Sequence, residues 1–245
     1  MILVDGLTKM YGRLKAVDNL SFSVAGGEVI GLIGPNGAGK TSTLKCIVGI
    51  QAPSAGTIRI GGHDIVADPI EAKRRLAFMP DEPQLFDYLT VREHLALVAR
   101  LYGVASVDER SRALLQELEL AGKEGALPGE LSRGMKQKLA IACGLLHDPV
   151  ALLFDEPLTG LDPLGIRRMK QTIVSRARAG AAVVVSSHLL HLVEEICTRI
   201  VIINHGVKIA DGTLGELAAR ADLASSDPDL EQIFLKATGH GDGGR

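Results

Sequence analysis

The chain has 245 residues, enough for one large α/β domain with its own core. Its 27 Lys and Arg are nearly balanced by 29 Asp and Glu, leaving a formal net charge of -2. Such a balance lacks the basic excess of a polyanion-binding surface, so nucleic acid is not an expected partner.

At the N-terminus, Asp5 interrupts the apolar residues before a secretory core can form, and no run of about 18 apolar residues occurs anywhere. Neither a membrane span nor a secretory route is expected, and any membrane role must come through a partner. The first 60 or so residues alternate short apolar runs with glycine pairs, and Leu20, Phe22 and Val24 share one face at the strand period, which predicts a β-rich N-terminal lobe. Residues 28–33 read as an apolar strand ending in a Gly-rich turn, and residues 41–48 as a helix that stops at Gly49. Over residues 85–120 the period is helical, with two consecutive helices opened by capping boxes, Thr90 with Glu93 and Ser106 with Glu109. A helix follows Ser132 to about Leu146, then a strand over 151–154, a helix that Pro163 opens and that ends near Gly180, and a strand over 182–185.

Strands alternating with helices imply crossover connections and a mainly parallel core sheet, so the fold class is α/β, with an inserted helical lobe over about residues 85–147. After Gly212, helical stretches are expected over 214–221 and 228–237; Leu230, Ile233 and Phe234 fall on one helical face, which favours packing over regulation. Residues 240–245 read as a flexible tail. Cys46, Cys143 and Cys197 lie far apart in apolar stretches, which suits buried thiols in a reducing compartment.

Residues 34–41 read GPNGAGKT, matching G-x-x-x-x-G-K-[ST] between an apolar strand and a helix. Gly34, Gly37 and Gly39 let the backbone curl so that its N–H groups point inward at phosphate oxygens, with Pro35, Asn36 and Ala38 completing the loop. Lys40 is placed to neutralise β- and γ-phosphates, Thr41 to offer its hydroxyl to Mg²⁺, and Ser42 to donate to a further phosphate oxygen. A Gly-rich βα turn with one exposed lysine would need all eight positions and both flanking elements to agree by chance, so ATP binding is expected. Asp155 and Glu156 follow the apolar strand at once, at the edge where parallel sheets hold ligands. Asp155 suits a bound Mg²⁺ and Glu156 a general base that polarises the attacking water.

With both nucleotide motifs placed, residues 1–215 resemble the ABC ATPase family. The diagnostic segment is LSRGMKQ, Leu131 to Gln137, similar to the family signature LSGGQ and lying at a helix start shortly before the acidic strand. The resemblance implies a P-loop NTPase with a RecA-like core sheet, an N-terminal antiparallel β lobe, the inserted helical lobe, and a C-terminal extension over 216–245. It further implies that Ser132 and Gly134 contact the γ-phosphate held by a second nucleotide-binding subunit, so that each site needs two chains. Tyr11 resembles the aromatic that stacks on adenine, Leu161 and Asp162 the D-loop, and His188 the switch histidine near the γ-phosphate.

Two segments depart from the family's commonest pattern. Arg133 and Met135 replace the first Gly and the Gln of the signature; Arg133 is read either as a cation near phosphate or as a side chain turned to solvent. Asp81, in MPDEPQLF, stands where the family's Q-loop glutamine aligns, with Gln84 three residues later, and a carboxylate there is a candidate Mg²⁺ ligand. The LS-x-GM and PDEP forms resemble bacterial ABC-2-type exporter subunits. The expected function is an ATPase on the cytoplasmic face of the membrane that drives a separate integral permease, more in keeping with export than import. The alternative is a soluble clamp-type ATPase of the same family, for example in iron-sulfur assembly. A nucleotide-binding regulator without turnover is disfavoured by the presence of both Glu156 and His188.

Overall fold

A computed structural model of the chain describes residues 1–159, 161–221 and 229–238. Strand-period alternation in the N-terminal region builds an antiparallel four-stranded sheet. It comprises β1 (Ile2–Tyr11), β2 (Leu14–Val24), β4 (Ala55–Ile60) and β5 (His63–Asp64), in the order β2-β1-β4-β5. Its inward residues, Ile2, Val4, Leu7, Leu20, Phe22, Val24, Ile58 and Ile60, are buried, as the two-residue period predicts.

The second sheet holds β3 (Val29–Ile33), β6 (Leu76–Met79), β7 (Ala151–Asp155), β8 (Ala182–Ser186), β9 (Arg199–Asn204) and β10 (Val207–Gly212). Its order is β10-β9-β3-β8-β7-β6. All neighbours pair in parallel except β9 with β10. Every residue of β3, β7 and β8 is buried, because a parallel sheet is covered on both faces. Alternate residues therefore divide between two cores. Ile30, Leu32, Leu153 and Val184 meet the inward face of the first sheet, while Leu152, Phe154, Val183 and Val185 pack with residues of the helices.

Helix α1 (Lys40–Ile47) follows β3, and α2 (Pro69–Arg74) precedes β6. Between β6 and β7 lies the helical lobe, with α3 (Val91–Tyr102), α4 (Val107–Glu117) and α5 (Arg133–Leu145). Thr90 forms the expected capping box: its hydroxyl accepts from the Glu93 amide at 3.3 Å, and its own amide donates to Glu93 Oε2 at 2.8 Å. The second expected box does not form. Ser106 takes a left-handed backbone, φ 54°, and its side chain makes no cap hydrogen bond. In that conformation its oxygen is not aimed at the exposed amides, and Asp108 and Glu109 instead complement the positive end of α4.

After β7 come α6 (Pro163–Arg178), α7 (Leu190–Ile196), α8 (Leu214–Arg220) and α9 (Leu230–Thr238). Asp162 caps α6, its Oδ1 accepting from the Gly165 amide at 2.6 Å. Leu230 and Ile233 are buried against Ile33, Val193, Ile200, Ile202 and Leu217, with Phe234 partly buried beside them. The expected helical face is thus a packing face. Pro228, the first position of that expected helix, and the expected tail at 240–245 lie outside the described residues. None of the three cysteines is bonded. Burial pushes the Cys143 and Cys197 thiols up to about 12, which makes them unreactive at neutral pH.

Candidate active site

Strands β3, β8 and β7 lie side by side and parallel, so their C-terminal ends open on one edge of the sheet, where α/β sheets hold ligands. From the end of β3 the chain runs into residues 34–42. Gly37 and Gly39 have φ of 80° and 102°, a region that side-chain-bearing residues rarely adopt. A Cβ on Gly39 would collide with the Ala16 carbonyl and one on Gly34 with the Ile203 carbonyl. Gly39 is therefore required by close backbone approach as well as by φ, Gly34 by close approach and Gly37 by φ. Gly39 is the N-cap of α1 without a side-chain cap, which leaves the first amides of the helix available to an anion.

Lys40 is buried, and its ammonium donates to the carbonyls of Gly34 at 2.6 Å and Pro35 at 3.1 Å. Burial lowers its pKa, opposed by the nearby charges of Glu156 and Asp155. Lys40 is thus held inside the curl of the loop, close to both carboxylates. Thr41 is exposed and Ser42 half-buried. Beside them the Tyr11 hydroxyl hydrogen-bonds to Gln51 and lies 3.5 Å from Ser42 Oγ, with the Lys9 ammonium 5.2 Å from the ring centroid. The candidate adenine platform is therefore tied to the phosphate loop.

Asp155 ends β7 and is 7% exposed; the Ser186 hydroxyl donates to its Oδ1. Glu156 follows with φ 51°, a left-handed conformation of the kind that strained functional positions adopt. It is secured by its amide, which donates to the Ser186 carbonyl at 3.0 Å. Glu156 Oε2 accepts from Ser187 Oγ at 3.2 Å and lies 2.9 Å from His188 Nδ1. The end of β8 therefore supplies a hydroxyl to each carboxylate and an imidazole to the second. Ser186 and Ser187 carry no role in the sequence reading. Their signal is their place, two hydroxyls between a wholly apolar strand and His188.

Ser132 caps α5, accepting from the Met135 amide at 3.3 Å. No acidic residue stands in the first turn of α5, so the positive helix end there is not countered by a neighbouring carboxylate. Among the described residues, no hydrogen bond or ion pair joins Ser132 or Gly134 to the phosphate loop, Asp155, Glu156 or His188. Among the described residues the start of α5 thus has no such link to the start of α1 within one chain. Asp81 lines a groove of about 790 Å³ together with Thr41 and Asp155. Its Oδ1 lies 3.6 Å from Arg133 Nη2, and Gln84, the later glutamine, lines the same groove. Among the described residues no three His, Cys, Asp or Glu side chains cluster as a metal cage.

The comparisons agree with this geometry. The family model described as ABC transporter matches residues 17–159. The ABC-type transporter ATP-binding protein EcsA of Bacillus subtilis is 35% identical over 240 residues, covering 97% of this chain and 96% of its own. The Nod factor export ATP-binding protein I of Paraburkholderia xenovorans is 40% identical over 217 residues, 88% of this chain and 71% of its own. A solved ATP-binding subunit of an ABC transporter aligns with TM-score 0.92 at 33% identity, covering 97% of this chain and 99% of that one. A bacterial ABC transporter cassette solved as a dimer aligns with TM-score 0.80 at 26% identity, covering 87% and 99%. With its phosphate loop, acidic strand end and signature helix in place, the chain belongs to the ABC transporter family, as an ATP-binding subunit that hydrolyses ATP.

Proposed function

We propose that two copies of the chain, or this chain and a related one, close head to tail around two ATP molecules and drive a separate membrane permease. The observation that carries this reading is that two uncountered helix N-termini, those of α1 and α5, are joined by no hydrogen bond or ion pair within one chain among the described residues. The loop at α1 holds the phosphates of one nucleotide, and Ser132 and Gly134 at the start of α5 are left to grip the γ-phosphate held by the opposing subunit. The dimeric cassette named above supports such pairing. ATP bridges the two subunits, and its hydrolysis removes the bridge, so closure and release alternate.

Within each site Lys40 and the loop amides bind and orient the β- and γ-phosphates, and Tyr11 stacks on the adenine. Glu156, aligned by Ser187 and His188, takes a proton from the attacking water as its oxygen bonds to the γ-phosphorus and the bond to ADP breaks. Thr41 and Asp155 would hold Mg²⁺: an exposed hydroxyl and a nearly buried carboxylate that line one groove fit a hard cation that keeps one or two protein oxygens beside the nucleotide. Bound there, the ion supplies neutralisation of charge on the transferring phosphoryl group.

The groove lined by Leu85, Phe86, Leu97, Val98 and Tyr102 is the proposed seat of the permease's cytoplasmic helix, and Phe86, at 62% exposure, presents apolar surface there. Among the described residues no helix is long and apolar enough to cross a membrane, consistent with peripheral attachment through that permease at the cytoplasmic face. Residues 1–215 form the proposed cassette and 216–245 its extension. Export as the direction is supported by the Nod factor export relative and by the LS-x-GM and PDEP segments. The soluble-clamp alternative has no such support.

Tagged Glu156→Gln protein, purified with ATP from detergent-solubilised membranes, tests the reading. A stoichiometric multi-span partner is expected. Recovery from the cytosol alone, with soluble partners, would overturn it.

A further inference from the structure

Two of the three residues that depart from the family's common pattern, Asp81 and Arg133, are far apart in sequence and meet in space. Arg133 Nη2 lies 3.6 Å from Asp81 Oδ1. That oxygen has no accessible surface and no hydrogen bond, so the guanidinium is its nearby counter-charge. One turn further along α5, the buried Gln137 donates from Nε2 to the Pro80 carbonyl at 3.3 Å. Arg133 and Gln137 are spaced i, i+4 and share a helix face. Two successive residues of that face thus hold two successive residues of the segment that leaves β6, one by hydrogen bond and one by charge.

We propose that Arg133 is a positioning residue: through Asp81 it fixes the first turn of α5, and with it Ser132 and Gly134, relative to the segment that leaves β6. The inference rests on the paired-subunit reading above. It assigns Asp81 to an arginine rather than to the metal. A divalent ion at the same oxygen would sit beside the positive charge of the guanidinium.

In the single chain Asp81 Oδ1 itself is covered, but the side chains as wholes stay open to water, 60% for Arg133 and 45% for Asp81, and such partly exposed pairs add little to stability. Closure of a second subunit over Ser132 and Gly134 removes that water, and the same charges then interact far more strongly. The pair is therefore worth more in the closed, hydrolysing state than in the free chain, which is the condition for an effect on turnover without an effect on folding.

A double-mutant cycle over Asp81→Ala and Arg133→Ala in the full chain tests this, reading ATP turnover, Mg²⁺ dependence, binding of a fluorescent ATP analogue, and thermal melting. Each single variant is expected to lower kcat about fivefold, and the double variant no further, as for two residues that act as one unit. Melting temperature, analogue affinity and the Mg²⁺ concentration for half-maximal rate should stay unchanged. Asp81→Asn and Arg133→Gln, smaller changes, repeat the cycle if an alanine variant fails to fold. Losses that multiply in the double variant overturn the pair. A tenfold rise in Mg²⁺ requirement in Asp81→Ala but not in Arg133→Ala also overturns it, and makes Asp81 a metal ligand. If the unsubstituted chain shows flat specific activity over a hundredfold dilution, the paired-subunit reading fails and this inference falls with it.

Discussion

His188 Nδ1 lies 2.9 Å from Glu156 Oε2, and Ser187 Oγ donates to the same oxygen at 3.2 Å. Two groups from the end of one strand therefore fix the orientation of a carboxylate at the end of its neighbour. Glu156→Gln is expected to keep ATP binding and to slow turnover by at least ~10², the scale of losing a positioned acid-base group. Single-turnover ATP hydrolysis measures it; an unchanged rate would remove Glu156 from its role. Ser187→Ala, which frees one side of the carboxylate, should lower kcat by less than the glutamine substitution and leave KM for ATP where it was.

Gly39 combines a φ of 102° with a backbone neighbour that a Cβ would strike, the Ala16 carbonyl. Gly39→Ala should abolish nucleotide binding while the fold persists, because the strain falls on the loop and not on either core. Titration with a fluorescent ATP analogue beside a circular dichroism spectrum reads both halves of that expectation. Retained affinity would show that the loop tolerates a different curl.

Tyr11 is 41% exposed, with its hydroxyl tied to Gln51 near Ser42. If its ring is the adenine platform, Tyr11→Phe retains the stacking face and should change ATP affinity little, whereas Tyr11→Ala should weaken it by about 1–3 kcal/mol, the scale of one base-aromatic stack. Equal losses in the two variants would place the energy in the hydroxyl. Calorimetric titration with ATP separates these outcomes.

His147 ties the end of α5 to β6: Nε2 donates to the Leu76 carbonyl at 3.1 Å, and the ring stacks on Tyr102 with centroids 3.8 Å apart. Nδ1 is buried without a partner. Burial holds the imidazole below its ordinary value of 6.5, against smaller opposing effects of the Leu76 hydrogen bond and Asp148. Between the folded and unfolded values the unfolded chain binds the extra proton, so stability is retained above pH 6.5 and declines as pH falls below it. Urea unfolding at pH 7 and pH 5 should therefore show a smaller difference in His147→Phe than in the unsubstituted chain. Parallel losses in both would assign the pH dependence to other groups.

Much of this site was legible in the sequence because its chemistry is contiguous. GPNGAGKT and the strand ending in Asp155 and Glu156 each carry strand, ligand group and turn in one short run. The alternation of Leu20, Phe22 and Val24 likewise predicts the buried face of β2. What was not legible depends on neighbours brought from afar. Ser187 meets Glu156 only because β7 and β8 pair in parallel register, with Asp155 opposite Ser186. Asp81 and Arg133 meet because the helical lobe returns α5 to the end of β6. Ser106 has the composition of a capping box with Glu109 yet takes a left-handed backbone, where the connection from α3 decides against local propensity.

Sedimentation of the Glu156→Gln protein with and without ATP tests the composite site most directly. The 25.9 kDa chain is expected to shift to twice that mass with ATP, and Ser132→Ala or Lys40→Ala should weaken the shift equally, since one residue of each type is needed on opposite subunits. A chain that binds ATP and stays monomeric at every concentration would contradict the head-to-tail pair.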